Sequence, residues 1–113
     1  MNLYELVTDF NTYISKVPNG CLYIANALRN NDLASALQSI RDFSEGALWL
    51  VDATELLNNN NIIYDLRINE IQYFLEIIND NLEKKNYLKV ADIFEQEIFL
   101  FFNGQKLIRN FDS

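Results

Sequence analysis

The side chains able to do acid–base or metal chemistry in this chain are almost all carboxylates: 16 Asp and Glu against nine Lys and Arg, one cysteine and no histidine. Without histidine there is no Glu-x-x-His metal pair of the kind helical bundles use, no Ser-His-Asp triad and no imidazole base. Three glycines compose neither a P-loop nor a dinucleotide-binding fingerprint. What remains are carboxylates one helical turn apart, Asp92 with Glu95 and Asp42 with Glu45, and a strip of Glu45, Asp52 and Glu55. Such oxygens hold magnesium or calcium when several converge, and a small carboxylate enzyme or metal-binding protein is the alternative they would support. On so acidic a chain, spaced pairs are also what a solvated helix face contains, and that is the simpler reading. No catalytic residue, metal ligand or cofactor is assigned. Cys21 falls on an apolar stripe with no base to activate it, as a small buried hydrophobe would. Glu95 lies beside an apolar stripe, at the 88, 91, 95, 98, 102 spacing, where an ion-pair partner is needed; Arg41 or Arg67 is expected to supply it.

These residues must be positioned by helices. The organising stretch is Asp32 to Leu57, read as the central helix. Asp32 is a suitable N-cap after the turn-forming Asn30-Asn31 pair, and Leu33, Ala36, Leu37, Ile40, Phe43, Ala47, Leu50, Val51 and Leu57 follow at three-four spacing. Four asparagines, Asn58 to Asn61, end it. Before it, Leu3, Val7, Phe10, Ile14, Val17, Cys21, Ile24 and Leu28 keep an unbroken four-three alternation across Pro18 and Gly20. This favours one long helix kinked at Pro18 over two helices with a turn. A third helix is expected from near Asp65, with Ile68, Ile71, Leu75, Ile78 and Leu82 on its stripe and Leu66 and Phe74 widening it. A fourth opens at Tyr87 with Val90, Ala91, Phe94, Ile98 and Phe101, and stops at Asn103-Gly104. The tail, with Leu107, Ile108 and Phe111, is expected to add a turn or two across the end. Lys84, Lys85 and Lys89 sit at a helix end, where cations suit the dipole.

A shift of 54 residues places Ile14, Val17, Cys21, Ile24 and Leu28 on Ile68, Ile71, Leu75, Ile78 and Leu82. Asn30-Asn31-Asp32 lands on Lys84-Lys85-Asn86. The expected architecture is therefore all-α: one domain, an up-down antiparallel four-helix bundle built from two pseudo-repeated hairpins, 3–58 and 62–102, with a short tail 105–113.

Apolar residues off the stripes point to function. Trp49 lies between Glu45 and Asp52 on the outward side of the second helix, with Leu56 one turn on. Tyr73 and Ile77 leave the stripe of the third, and Ile93, Phe99 and Leu100 that of the fourth, which becomes apolar all round. Either the tail or another chain must cover it. Trp49, Tyr73, Ile77, Phe99 and Leu100 are the candidate partner-binding residues.

A net charge of −7 repels phosphate backbones and anionic lipid, which argues against nucleic-acid and membrane-surface roles. The first residues carry Glu5 and Asp9 and no Lys or Arg before Lys16, unlike a signal peptide. The longest near-continuous apolar run, Ile98 to Phe102, is far short of a membrane span. One cysteine permits no internal disulfide, so a cytoplasmic location is expected.

At Val90-Ala-Asp-Ile-Phe-Glu-Gln-Glu97 and Glu45-Gly-Ala-Leu-Trp-Leu50 the chain resembles a family of small, acidic, all-helical proteins of low-GC Gram-positive bacteria with no assigned function, and its Asn, Ile, Lys, Tyr and Phe excess suits AT-rich codons. Members of that family often have proline where this chain has Leu100, so its fourth helix is expected to run further. The hairpin pattern is also faintly similar to that of flagellin export chaperones, acidic bundles that hold a partner's helical tail. The expectation is a non-enzymatic protein–protein interaction module, an adaptor, chaperone-like or homo-oligomeric accessory protein, burying a partner's helix or its own twin on an apolar face.

Overall fold

The computed structural model describes residues 2–109, which are all-helical, with no strand among them. Four helices follow in order: α1 (Leu3–Arg29), α2 (Leu33–Asn59), α3 (Ile68–Glu83) and α4. α4 is continuous over 87–103 but changes pitch: α-helical at Tyr87–Asp92, π-helical at Ile93–Ile98 and α-helical again at Phe99–Asn103. It therefore runs past Leu100. No helix is long and apolar enough to cross a membrane.

α1 begins where the Asn2 side chain accepts the Glu5 amide at 2.8 Å, with Glu5 itself favourably placed in the first turn. It continues through Pro18, so the four-three alternation was the sign of one helix. Its stripe is buried from Val7 to Leu28, and Leu6, Ala25 and Ala27 are buried beside it. That wide arc is the reason for the first correction: α1, not α2, is the central helix. It packs along α2 on one side and along the whole of α4 on the other, while α2 approaches α3 closely at few positions.

Three helix ends share one device. The amide of Asp32 reaches the Ala27 carbonyl (2.9 Å) and that of Asn31 the Leu28 carbonyl (3.3 Å), with Asn31 left-handed at φ 60°. At the matching positions the Asn86 amide reaches Asn81 (2.9 Å), the Lys85 amide reaches Leu82 (3.0 Å), and Lys85 has φ 58°. The end of α2 repeats the pattern with Asn61 at φ 68°. These are Schellman caps, each satisfying two carbonyls that the helix end would leave unpaired. The two hairpin turns thus agree residue for residue with the 54-residue repeat. Asp32 occupies the N-cap position of α2 yet makes no side-chain cap bond, a second correction; its backbone amide is instead closing α1.

The remaining corrections are local. Leu37 is 41 % exposed rather than on the buried face. α3 starts at Ile68, since 62–67 is irregular and Arg67 is left-handed at φ 57°. The tail has no helical turn over 105–109: it is irregular, with the Asn11 side chain donating to the Ile108 carbonyl (3.0 Å) and accepting the Ile108 amide (2.9 Å). Phe111 lies outside the described residues.

Edge-to-face aromatic contacts knit the core across helices. Phe43 of α2 meets Phe94 and Phe102 of α4 at centroid distances of 5.3 and 6.1 Å, and Phe101 joins Phe102 (5.0 Å) to Phe74 of α3 (5.4 Å).

Lys85 is the one αL cap residue of the three that is not asparagine, and a β-carbon in that conformation is strained. Lys85→Gly is expected to raise stability by about 1 kcal/mol, read as a higher urea midpoint at unchanged slope.

Candidate functional site

The π stretch sets the geometry of α4. The Phe99 amide donates to the Phe94 carbonyl, five residues back rather than four, so residues five apart stack on one face. Ile93 and Ile98 are both fully buried as a result, and Ile93 is not the off-stripe residue that an α-helical count makes it. Asp92 and Glu95, three residues apart, face the end of α1. Arg29 there grips both, Nη2 to Asp92 at 2.8 Å and Nη1 to Glu95 at 2.7 Å. The partner of Glu95 is therefore Arg29 and neither Arg41 nor Arg67. Arg67 instead stands 4.9 Å from the Phe101 ring centre and pairs with Glu70 at 3.5 Å. The hydrogen bonds that Arg29 donates to Glu95 and to Asp92 hold its guanidinium more firmly protonated than usual.

This grip bears on the carboxylate chemistry. The two oxygens best placed to share a cation already share one, the guanidinium fork, whose geometry suits two carboxylates. Glu45, Asp52 and Glu55 are exposed on α2, and Asp42 accepts the Gln38 amide at 3.1 Å. Among the described residues no three acidic or cysteine side chains are grouped to hold a metal ion.

Between α1 and α2 lies a groove of about 270 Å³, lined by Tyr13, Val17, Gly20, Cys21, Ile24 and Phe43 among others. Its wall depends on a glycine. The Tyr13 ring lies against Gly46, where any β-carbon would collide with it, and its hydroxyl donates to the Phe43 carbonyl at 3.4 Å. Trp49 tilts against the same ring at 6.1 Å. Burial pushes the Tyr13 phenol up to about 12, helped by nearby Cys21, and pushes the Cys21 thiol up to about 12. A thiol so far above neutrality is a packing group, as its stripe position implied. Tyr13, Gly46, Arg29 and Asn11 were not singled out from the sequence. Gly46 carried a signal, because an isolated glycine inside a helix marks a close approach.

The five candidate partner residues divide. Tyr73 and Leu100 stand on the surface, 52 % and 64 % exposed. Trp49, Ile77 and Phe99 are partly buried against the core, Trp49 because Gly46 lets Tyr13 reach it. Leu48, Leu56 and Leu88 are further exposed leucines.

Residues 5–107 match the model of a family described as Domain of unknown function (DUF8042). The chain belongs to the DUF8042 family. The match takes in α2, α3, α4 and all but the first two residues of α1, so the four helices described above are those of a DUF8042 domain. No curated protein and no solved structure matches it significantly.

The two glycines of this region should respond oppositely to alanine. At Gly20 a β-carbon meets nothing within 4 Å, so Gly20→Ala is expected to stabilise by about 0.5–1 kcal/mol. Gly46→Ala should destabilise by about 1–3 kcal/mol, because the Tyr13 ring must move; chemical denaturation reads both signs. Tyr13 and Cys21 also make stability pH-dependent. Their folded values lie above the ordinary 10.0 and 9.0, so their contribution is complete below pH 9 and is lost as the pH rises toward 12. Denaturation midpoints should fall as the pH rises from 9 toward 12, and the double variant Tyr13→Phe, Cys21→Ala should flatten that fall.

Proposed function

We propose that this DUF8042 protein is a non-enzymatic interaction module, an adaptor, chaperone-like or homo-oligomeric accessory protein of the cytoplasm, that buries a partner's apolar surface. The observation that carries the reading is the exposure of Tyr73 and Leu100 on α3 and α4, two large apolar side chains that the fold leaves in water. The scaffold of this reading is an up-down antiparallel four-helix bundle. Support comes from Arg29, at the end of α1, meeting Asp92 and Glu95 early in α4, while Asn11, near the start of α1, meets Ile108 beyond its end. α1 is kinked in this scheme at Pro18, which has no amide to offer the Ile14 carbonyl. The carboxylate-enzyme alternative is weakened by the engagement of Asp92 and Glu95 with Arg29.

Light scattering of the purified protein over a wide concentration range, with and without its crosslinked cellular partner, tests this for wild type, Tyr73→Glu and Leu100→Glu. Both substitutions are on the surface and should leave helicity and melting nearly unchanged. Association with a second copy or a partner should drop at least roughly tenfold in each, since a charge buried in an apolar contact is costly. Undiminished association in both variants would refute the reading.

A further inference from the structure

Two irregular segments, 62–67 between α2 and α3 and 104–109 after α4, together enclose a pocket of about 660 Å³. That is within the roughly 300–1,000 Å³ of small-molecule sites. Neither wall has helical bonds to fix it, yet both are fastened. The Tyr64 amide donates to Asn58 Oδ1 at 2.9 Å, its ring stands edge-on to Phe10 at 4.8 Å, and its hydroxyl donates to the Lys106 carbonyl. Two residues further on, Asn11 takes both backbone groups of Ile108. The tail backbone is thus pinned at 106 and at 108, and a ligand meeting these walls does not have to order them first.

The walls present two kinds of surface. Ile63, at 78 % the most exposed large apolar side chain among the described residues, and Leu107, at 37 %, offer apolar area. Arg67, Lys106 and Arg109 line the same pocket, so three of the chain's nine cations stand there with a single acid, Asp65, on a chain of net charge −7. Arg67 is already engaged, over the Phe101 ring at 4.9 Å and beside Glu70 at 3.5 Å, so the charge offered to a ligand is chiefly that of Lys106 and Arg109. Asp65 opposes a second negative charge on whatever binds. We propose that this pocket binds a small organic acid, a single carboxylate on an apolar body, with Lys106 and Arg109 taking the carboxylate and Ile63 and Leu107 the body. A guanidinium beside an ammonium suits a carboxylate, and the apolar residues give the site its preference for an acid with a body over a bare anion. Neither Tyr73 nor Leu100 lines the pocket, so the proposal stands apart from the interaction-module reading.

The test follows the amide shifts of the isotope-labelled full chain by NMR during titration with octanoate, acetate and octanol. Millimolar octanoate should move the amides of 62–67 and 104–109 to saturation. Acetate, which lacks the body, should bind at least roughly a hundredfold more weakly, and octanol, which lacks the charge, at least roughly tenfold. Lys106→Gln combined with Arg109→Gln should weaken octanoate roughly tenfold and leave octanol unchanged. Ile63→Ser should weaken both ligands, and Asp65→Asn should tighten octanoate roughly threefold. All four positions are exposed, so helicity and melting should hold in every variant. The proposal is overturned if octanoate moves no amide of these segments, or if its shifts gather instead in the groove between α1 and α2. It is equally overturned if acetate or octanol binds as well as octanoate, which would be a cationic or an apolar patch alone, or if any of these variants leaves octanoate affinity where it was.

Discussion

The fold depends on burying α1 from two sides. A helix with a single stripe needs one neighbour, but Leu6, Ala25 and Ala27 widen the buried arc of α1 until it needs two. α2 takes one flank and α4 the other. The end of α1 is tied to α4 by Arg29, and Asn11, nearer its start, is tied to the tail beyond α4 at Ile108. An unbroken α1 is a condition for this, and the chain accepts a proline inside it rather than a turn.

A helix packed so closely along a partner must keep its register with it, and α4 does so by a change of pitch. An α-helical count puts Ile93 off the face that carries Phe94 and Ile98; the π stretch brings all three inward, with Phe101 and Phe102 following. The aromatic side chains so gathered reach α2 through Phe43 and α3 through Phe74, and thereby assemble one core from four helices. The gathering is uneven. α1, α2 and α4 form the tight part, and α3 is carried at its edge on large aromatic side chains with few close backbone approaches.

Buried polar side chains among the described residues all find partners. The three Schellman caps account for helix-end carbonyls, Asn11 pairs both backbone groups of Ile108, and the buried Thr54 hydroxyl returns to its own helix at Leu50, 2.8 Å away. Asp92 and Glu95 are engaged by Arg29. Tyr13 and Cys21 are held in their neutral forms by burial. Several large apolar side chains nevertheless stand in water on the described surface, Tyr73, Leu88 and Leu100 among them.

Local pattern determined much of this protein. The four helices, the α1 stripe from Val7 to Leu28, the buried Cys21, the stop at Asn103-Gly104 and the matched turns at 30–32 and 84–86 all follow from side-chain period and turn chemistry. These depend on residues within a few positions of each other. Tertiary structure decided what depends on distant partners. Which helix is central turned on the second flank of α1, and the fate of Trp49 turned on Tyr13, 36 residues earlier in the chain, reaching over Gly46. The partner of Glu95 was set by where the end of α1 met α4, and the burial of Ile93 by a change of pitch with no local marker, since one extra residue per turn is chosen by packing against α1 and not by any residue in the turn.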